Sequence, residues 1–239
     1  MNLYGLILAS VVFLGYFLAK KRSKLYKFPL DHLDNLFFLS VPLAIVGARI
    51  YHVVDKWSFY AQNPKQIFLI WQGGLGIFGA IILGFAGIAT YYFLVKKDFS
   101  LAFFLDLIAP SLLLGQALGR LGNFFNQEAF GPPTNLPWGI YIDQNKRPAE
   151  WQSLERFHPT FFYELIWDLV GAAVLFFLAK KLKDKPGAIL SLYLIIYGLG
   201  RFWVEIFRFD TFQIGQFKIA QMLSLVFIIA GTILAKKIF

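Results

Sequence analysis

Seven long apolar stretches, separated by gaps that are mostly short, are the feature that most limits what this chain can become. They cover residues 3–19, 36–54, 67–95, 101–118, 161–179, 187–207 and 217–235. A helix needs about 20 mostly apolar residues to cross the hydrocarbon core of a bilayer. The 239 residues are 58% hydrophobic and only 15% charged, so seven such spans use almost all of the apolar residues. The sequence therefore predicts one all-α polytopic membrane domain over residues 1–239, and excludes a soluble or disordered chain.

Basic residues are distributed unevenly among the segments outside the spans. The segments that follow the first, third, fifth and seventh spans hold thirteen Lys and Arg, and the other three hold eight. Because cytoplasmic segments carry the excess of Lys and Arg, the N-terminus is predicted outside and the C-terminus in the cytoplasm. The largest loop, residues 119–158, is then outside. The net charge of +9 reflects this topology, and we expect no nucleic-acid partner.

The cysteine and histidine content limits the chemistry that the chain can perform. The chain has no Cys, which excludes disulfides, thiolate metal sites and a cysteine nucleophile of its own. Its three His residues show neither HxxxH nor HExxH spacing. We therefore expect neither a metal site nor a cofactor.

Ionisable side chains inside membrane spans cost several kcal/mol unless they are paired, so each marks a functional or a pairing site. Six lie within the predicted spans: Arg49, Asp106, Glu164, Asp168, Arg201 and Glu205. At about 1.5 Å per residue, Arg49 and Arg201 lie roughly 8–9 Å below the outer interface. Arg120 and Glu164 lie near the same level, whereas Asp106 is near the cytoplasmic end. The predicted polar level is that of the headgroups of the outer leaflet.

The spacing of these residues allows two interpretations. Glu164 and Asp168 are four residues apart, and Tyr197, Arg201, Glu205 and Arg208 form one stripe of the sixth span. Such residues can be Arg–Glu pairs that only fix helix packing. Three arginines at one depth favour a binding function for the cluster as a whole, because Arg binds two phosphate oxygens at once.

The densest polar segment is residues 119–131, with the sequence GRLGNFFNQEAFG. Its glycines allow close approach of the backbone to a ligand, and its Arg and Asn side chains donate to phosphate and glycerol oxygens. Taken alone, the segment could also be an ordinary glycine-rich loop.

This segment resembles the signature of the prolipoprotein diacylglyceryl transferase family, G-R-x-G-N-F-x-N-x-E-x-x-G, and matches each fixed position. Other family segments follow in the same order along the whole chain: Tyr4-Gly5, Gly47-Ala48-Arg49, Trp71 to Gly74 with Gly79, His158-Pro159-Thr160 with Tyr163-Glu164, Tyr197 to Arg208, and Gln221 to Ser224.

The resemblance implies a reaction and a location. Members of this family transfer the diacylglyceryl group of phosphatidylglycerol to the lipobox cysteine thiol of a prolipoprotein signal peptide, and release glycerol phosphate. The expected partners are phosphatidylglycerol, the prolipoprotein and membrane lipids. The expected location is the bacterial cytoplasmic (inner) membrane, with the active site facing the outer leaflet. The absence of Cys fits, because the substrate supplies the sulfur.

The resemblance also implies roles for single residues. Arg120 and Arg201 are expected to bind the phosphate, with Glu205 positioning Arg201. Asn123, Asn126 and Glu128 are expected to hold glycerol hydroxyls or to orient Arg120. The other residues expected to contact phosphatidylglycerol are Tyr4, Arg49, Gly79, Gly131, Tyr163, Glu164 and Tyr197.

One position departs from the family pattern. Phe78 stands where many relatives carry a His that is a candidate base. The group that deprotonates the thiol is therefore open among His158, Glu128, Glu164 and a phosphate oxygen of the lipid. The alternative functions are a phospholipid transporter or flippase without chemistry, and a non-catalytic assembly factor.

Overall fold

The computed structural model describes residues 3–95, 98–209 and 211–239. Most of these residues are helical. The helices are α1 (Leu3–Ser23), α2 (Leu30–Asp55), the single turn α3 (Trp57–Tyr60), α4 (Ile77–Leu94), α5 (Leu101–Asn126), α6 (Thr160–Lys181), α7 (Ala188–Ile206) and α8 (Ile219–Ile238).

Six of these helices, α2 and α4 to α8, are long and apolar enough to cross a membrane. The prediction of a mostly helical, multi-pass membrane protein is therefore confirmed. The first predicted span forms α1, whose 21 residues end in a basic last turn. Lys96 and Lys97, which contribute to the predicted cytoplasmic charge, lie outside the described residues, as does the side chain of Tyr4.

The two largest differences between predicted and observed boundaries lie at the start of α4 and the end of α5. The third span was predicted from residue 67, but α4 begins at Ile77, and residues before it form short 3-10 turns. Gly73 and Gly74 interrupt the helix because both adopt positive φ, +97° and +74°. The outer loop was predicted from Gly119, but α5 continues to Asn126. The helix ends where Gln127 turns to a φ of +52°.

Two short antiparallel ribbons add to the helices. β1 (Ile140–Tyr141) pairs with β2 (Arg156–Phe157) inside the long loop, and β3 (Gln213–Ile214) pairs with β4 (Phe217–Lys218) before α8. The loop also has a small apolar core formed by four buried side chains: Phe130, Ile142, Phe157 and Phe161. The segment after α5 is therefore an ordered structure packed on the start of α6.

The chain divides into two compact units. The first comprises Met1–Leu6 and Lys20–Phe104, and the second comprises Ile7–Ala19 and Leu105–Phe239. Within the first unit, α2 and α4 cross with their backbones in contact. A Cβ atom on Gly79 would lie 2.0 Å from the carbonyl oxygen of Gly47, so this crossing requires glycine.

In the second unit, α7 is held at both ends by charged side chains. Asp106 of α5 accepts hydrogen bonds of 2.7 Å from the backbone N–H groups of Gly187 and Leu190, at the start of α7. It therefore satisfies donors that the first turn of a helix leaves unpaired. At the other end, the Lys218 ammonium donates to the carbonyl oxygen of Glu205 at 2.7 Å. These contacts fix the helix that carries Arg201.

Candidate functional site

Three helices of the second unit bring four charged side chains together. Arg120 of α5 donates through Nη2 to Oε1 of Glu164 on α6. Arg201 of α7 donates through Nη1 to Oε2 of the same carboxylate at 3.1 Å, and its Nη2 lies 2.7 Å from Oε2 of Glu205. We call these four residues the Arg–Glu cluster. One buried carboxylate thus holds two guanidinium groups that would otherwise repel each other.

The glutamate side chains of the cluster are more deeply buried than its arginine side chains. The side chains of Glu164 and Glu205 are 3% and 0% exposed, whereas those of Arg120 and Arg201 keep 23% and 16%. Arg120 Nε has no hydrogen-bond partner within the described ranges. Because Nε itself is buried, an anion that reaches the cluster meets the exposed parts of the two guanidinium groups first.

The signature residues extend the cluster along the end of α5. Arg120 Nη1 donates to Oδ1 of Asn123 at 3.2 Å. The amides of Asn123 and Asn126 both donate to Oε1 of Glu128, at 3.0 and 3.1 Å. The chain turns back after Asn126 because Gln127 and Ala129 have positive φ, and this turn places Glu128 over the two amides. Asn123 therefore links Arg120 to an exposed carboxylate.

A cavity of about 390 Å³ opens beside this turn. It is lined by Asn126, Gln127, Glu128, Ala129, Phe130, Lys146, Pro148 and Phe209. Most of its polar lining comes from the signature segment. Hydroxyl groups of a ligand can therefore reach amide donors and a carboxylate acceptor there.

His158 and Tyr163 form a separate group at the start of α6. The Tyr163 hydroxyl accepts a hydrogen bond from Trp138 Nε1 at 3.0 Å and lies 3.0 Å from His158 Nδ1. An apolar cavity of about 530 Å³ adjoins Trp138 and Tyr163. In the parts of the chain that the structure describes, no hydrogen bond joins His158 to the Arg–Glu cluster.

Gly131 and Tyr197 are both packed against neighbouring parts of the second unit. A Cβ atom on Gly131 would lie 2.7 Å from the carbonyl oxygen of Phe207 and 2.8 Å from Thr160 Cγ2, so no side chain fits. The Tyr197 ring is stacked on that of Tyr193, with centroids 6.0 Å apart and planes 5° apart. Gly131 thus closes the loop against the end of α7, and Tyr197 lies beside the cluster on α7.

Arg49, in the first unit, donates hydrogen bonds to backbone carbonyl oxygens. Nε donates to Ile67 at 2.8 Å, Nη1 donates to Gly73 and Gly74 at 2.8 and 2.9 Å, and Nη2 donates to Gln66. Its guanidinium also lies over the Tyr60 ring. Arg49 therefore holds the irregular segment before α4, and its expected contact with phosphatidylglycerol remains a prediction.

Gly79 and Phe78 lie in the same unit. Gly79 is buried in the crossing of α2 and α4. Phe78 is 51% exposed, and its ring is 5.7 Å from that of Tyr51. Half of the Phe78 side chain is therefore not packed against other described parts of the chain.

Sequence reasoning gave a role to only one member, Tyr197, of a polar layer one turn beyond the cluster. This layer contains Gln116, Asp168 and Tyr197, and Tyr193 lies one turn before Tyr197 on α7. Asp168 is 1% exposed, and the Tyr193 hydroxyl donates to Gln116 Oε1 at 3.4 Å. The signal was available, because Gln116 and Asp168 are each four residues from a cluster member.

The six apolar helices and the buried Arg–Glu cluster define a multi-pass membrane protein with a site suited to an anionic ligand. The family described as prolipoprotein diacylglyceryl transferase matches residues 1–236, and the chain belongs to this family.

Individual relatives agree over nearly the full length. The chain is 48% identical over 233 residues to the phosphatidylglycerol–prolipoprotein diacylglyceryl transferase of Trichormus variabilis, covering 95% of this chain and 82% of the relative. It matches the enzyme of the same name from a Nostoc species with the same identity and the same coverage. The protein of that name from Thermosynechococcus vestitus is 41% identical over 230 residues, covering 96% of this chain and 85% of the relative.

Proposed function

We propose that this chain transfers the diacylglyceryl group of phosphatidylglycerol to the lipobox cysteine thiol of prolipoproteins. The products are a thioether-linked lipoprotein precursor and glycerol phosphate, and the reaction is the first step of bacterial lipoprotein maturation. The observation that carries the proposal is the bridge of Glu164 between Arg120 and Arg201. Membership in the transferase family supports the same reaction.

The two arginines bind the phosphate of the lipid. In this reaction the thiol sulfur attacks C3 of the diacylglyceryl glycerol, and the bond from C3 to the phosphate oxygen breaks. The phosphate changes from a monoanion to a dianion as it leaves. Guanidinium donors that are already in position stabilise this developing charge without reorganisation, which is worth about 10²–10³-fold in rate for one donor in comparable sites.

The remaining residues of the site hold this arrangement. Glu205 holds Arg201 through an ion pair of 2.7 Å, and Asn123 holds Arg120. Asn126 and Glu128 bind hydroxyls of the headgroup glycerol in the cavity beside them. Tyr163 contacts phosphatidylglycerol, and His158 lies beside it, with Nδ1 3.0 Å from the Tyr163 hydroxyl.

We also propose that the chain lies in the bacterial cytoplasmic (inner) membrane as one catalytic domain with seven spans. Its N-terminus and the loop before α6 are outside, its C-terminus is in the cytoplasm, and its active site faces the outer leaflet. The length of α1 supports a seventh span, because 21 helical residues reach across a bilayer. The unequal distribution of basic residues supports the orientation.

One assay tests the proposal. Purified protein is incubated with vesicles of phosphatidylglycerol and a peptide that contains the lipobox cysteine, and both products are measured by mass spectrometry. We expect a thioether-linked diacylglyceryl peptide and an equal amount of glycerol phosphate. Vesicles of phosphatidylcholine and a peptide with Ser in place of Cys serve as controls. Lipid binding or movement without either product would instead support a transporter.

A further inference from the structure

Two buried carboxyl groups in the second unit have oxygens without a hydrogen-bond partner among the described residues: Glu205, which lies 2.7 Å from Arg201 Nη2, and Asp168. Asp168 is 1% exposed, and its Oδ2 has no hydrogen-bond partner within the described residues. The charges of Glu164, Arg120 and Arg201 all act on Asp168, so it lies within electrostatic reach of the cluster. Burying an unpaired polar atom is costly, and such an atom in a native structure calls for an explanation.

Asp168 lies on a defined side of the Arg–Glu cluster. It is four residues further along α6 than Glu164, away from the loop that precedes that helix. Gln116 and Tyr197 are each four residues before Arg120 and Arg201, on helices that run toward the loop. Four residues of helix correspond to about 6 Å. The polar layer therefore lies about 6 Å deeper in the helices than the cluster.

The geometry of the lipid places the reacting sulfur at this depth. In phosphatidylglycerol, the carbon that is attacked lies between the phosphate and the acyl chains. With the phosphate on the arginines and the chains in the membrane interior, this carbon lies on the deeper side of the cluster. An in-line attack puts the sulfur about 3–3.5 Å beyond that carbon. The sulfur is then about 6 Å from the phosphorus, at the depth of Asp168.

Building on the proposed function, we propose that Asp168 is the catalytic base that accepts the proton of the substrate thiol. The S–H bond breaks, and the proton moves to Oδ2 of Asp168. The sulfur electron pair forms the bond to C3, and the C3–O electron pair stays with the departing phosphate. Asp168 then passes the proton to this phosphate or to water, which restores the carboxylate for the next cycle.

This assignment keeps the charge of the site constant during the reaction. Asp168 loses one negative charge on accepting the proton, while the departing phosphate gains one. Arg120 and Arg201 therefore face the same total charge before and after transfer. In a region of low effective dielectric, a change of net charge would be costly, so this balance lowers the barrier.

The other candidates for the base are less well placed. Glu164 has both oxygens engaged by arginines. Glu128 is exposed at the end of α5, on the loop side of the cluster, and therefore lies on the far side of the phosphate from the sulfur. His158 lies at the start of α6, beside Tyr163. Asp168 also explains how Phe78 can replace a His without removing the base.

A pair of peptides tests the proposal. The peptides are identical except that one carries Cys and the other selenocysteine, whose selenol is already ionised at neutral pH. We expect Asp168→Asn to lower transfer to the Cys peptide by about 10²–10⁴-fold, the usual contribution of a general base. Transfer to the selenocysteine peptide should remain within about tenfold of wild type. Asp143→Asn, in the exposed loop, is the matched control and should change neither rate.

Two further variants make the result decisive. Arg120→Lys should lower transfer to both peptides, because it acts on the leaving group. Asp168→Glu keeps a carboxylate and should transfer to the Cys peptide faster than Asp168→Asn. Equal losses with both peptides, or equal rates for the two Asp168 variants with Cys, would overturn the assignment. A wild-type protein that modifies neither peptide would instead overturn the proposed transferase function.

Discussion

Glu164 and Arg201 meet at 3.1 Å through Oε2 and Nη1, and this contact leaves the other oxygen of the carboxylate for Arg120. Two like charges are thereby held near each other by one buried anion. Protein side chains hold both guanidinium groups in place, which preorganises their donors for a phosphate group. The first two predictions depend on this bridge.

Glu164→Gln should lower both the stability of the folded protein and the rate of transfer. The amide offers only one acceptor, and its NH₂ group faces a guanidinium. Removing one partner of a buried ion pair costs about 3–5 kcal/mol, so we expect a clear fall in the thermal unfolding temperature. Transfer should fall by at least about 10²-fold. Glu150→Gln, on the exposed loop, is the control, and wild-type rates for Glu164→Gln would exclude the bridge from the mechanism.

Arg120→Lys should retain folding but lose most of the transfer. A lysine keeps the charge, but it cannot bind two oxygens in the fork geometry of a guanidinium. We expect a loss of about 10²-fold or more in kcat, and a larger loss for Arg120→Ala. Arg156→Lys in the exposed ribbon makes the same change outside the cluster and should have no effect. Near-normal turnover by Arg120→Lys would contradict a two-oxygen contact.

Phe78→His should not increase the rate. If Phe78 occupied the position of the base, restoring an imidazole would raise the rate by about 10²–10⁴-fold. We expect little change or a loss, because the ring lies beside Tyr51 and is half exposed on a helix that is apolar enough to cross a membrane. His158→Ala and Glu128→Gln should each lower the transfer rate by a larger factor than Phe78→His changes it. Rates measured with one peptide rank the three variants, and a large gain from Phe78→His would place the base in the first unit.

Asp106→Ala should reduce stability without changing the chemistry. It removes the acceptor for two backbone N–H groups at the start of α7. Loss of a helix cap costs about 0.5–2 kcal/mol, so the unfolding temperature should fall by a few degrees. The rate per folded molecule should match wild type. A large fall in that rate at full folding would assign Asp106 a role beyond the helix cap.

The topology makes a prediction that is independent of catalysis. With an outside N-terminus and seven spans, a reporter fused after Phe239 should be active only if it works in the cytoplasm. A reporter that requires the extracytoplasmic space should be active when inserted in the exposed loop near Gln144. Activity of the second reporter at the C-terminus would show that the predicted orientation is wrong.

Most of the helical architecture could be predicted from sequence because hydropathy directly reflects what a membrane requires. The start of α4 could not be predicted from sequence, because a run of apolar residues does not show that Gly73 and Gly74 adopt positive φ. The glycines and polar groups of the signature predict a loop, yet α5 continues through most of it. Tertiary packing outweighs local propensity there.

The grouping of the polar residues and the pair of Arg201 with Glu205 could be predicted, but the other pairings could not. Spacing placed Arg120, Glu164 and Arg201 near one level, and the structure joins them directly. The same reasoning put Arg49 among the substrate contacts, while the structure engages its donors with carbonyls 17 to 25 residues away. Depth alone cannot show which acceptors a guanidinium finds, because those acceptors belong to irregular backbone.

The bridge at Glu164 also has a consequence for how the protein is assembled during synthesis. Arg201 has Glu205 one turn away on its own helix, so this pair can enter the bilayer already neutralised. The carboxylate that neutralises Arg120 is 44 residues later, on the next helix. Arg120 is therefore synthesised before its carboxylate partner exists, and it stays without that partner until α6 has been made. Arg201 and Glu205 are made together, so the two arginines of the cluster acquire their partners at different stages of synthesis.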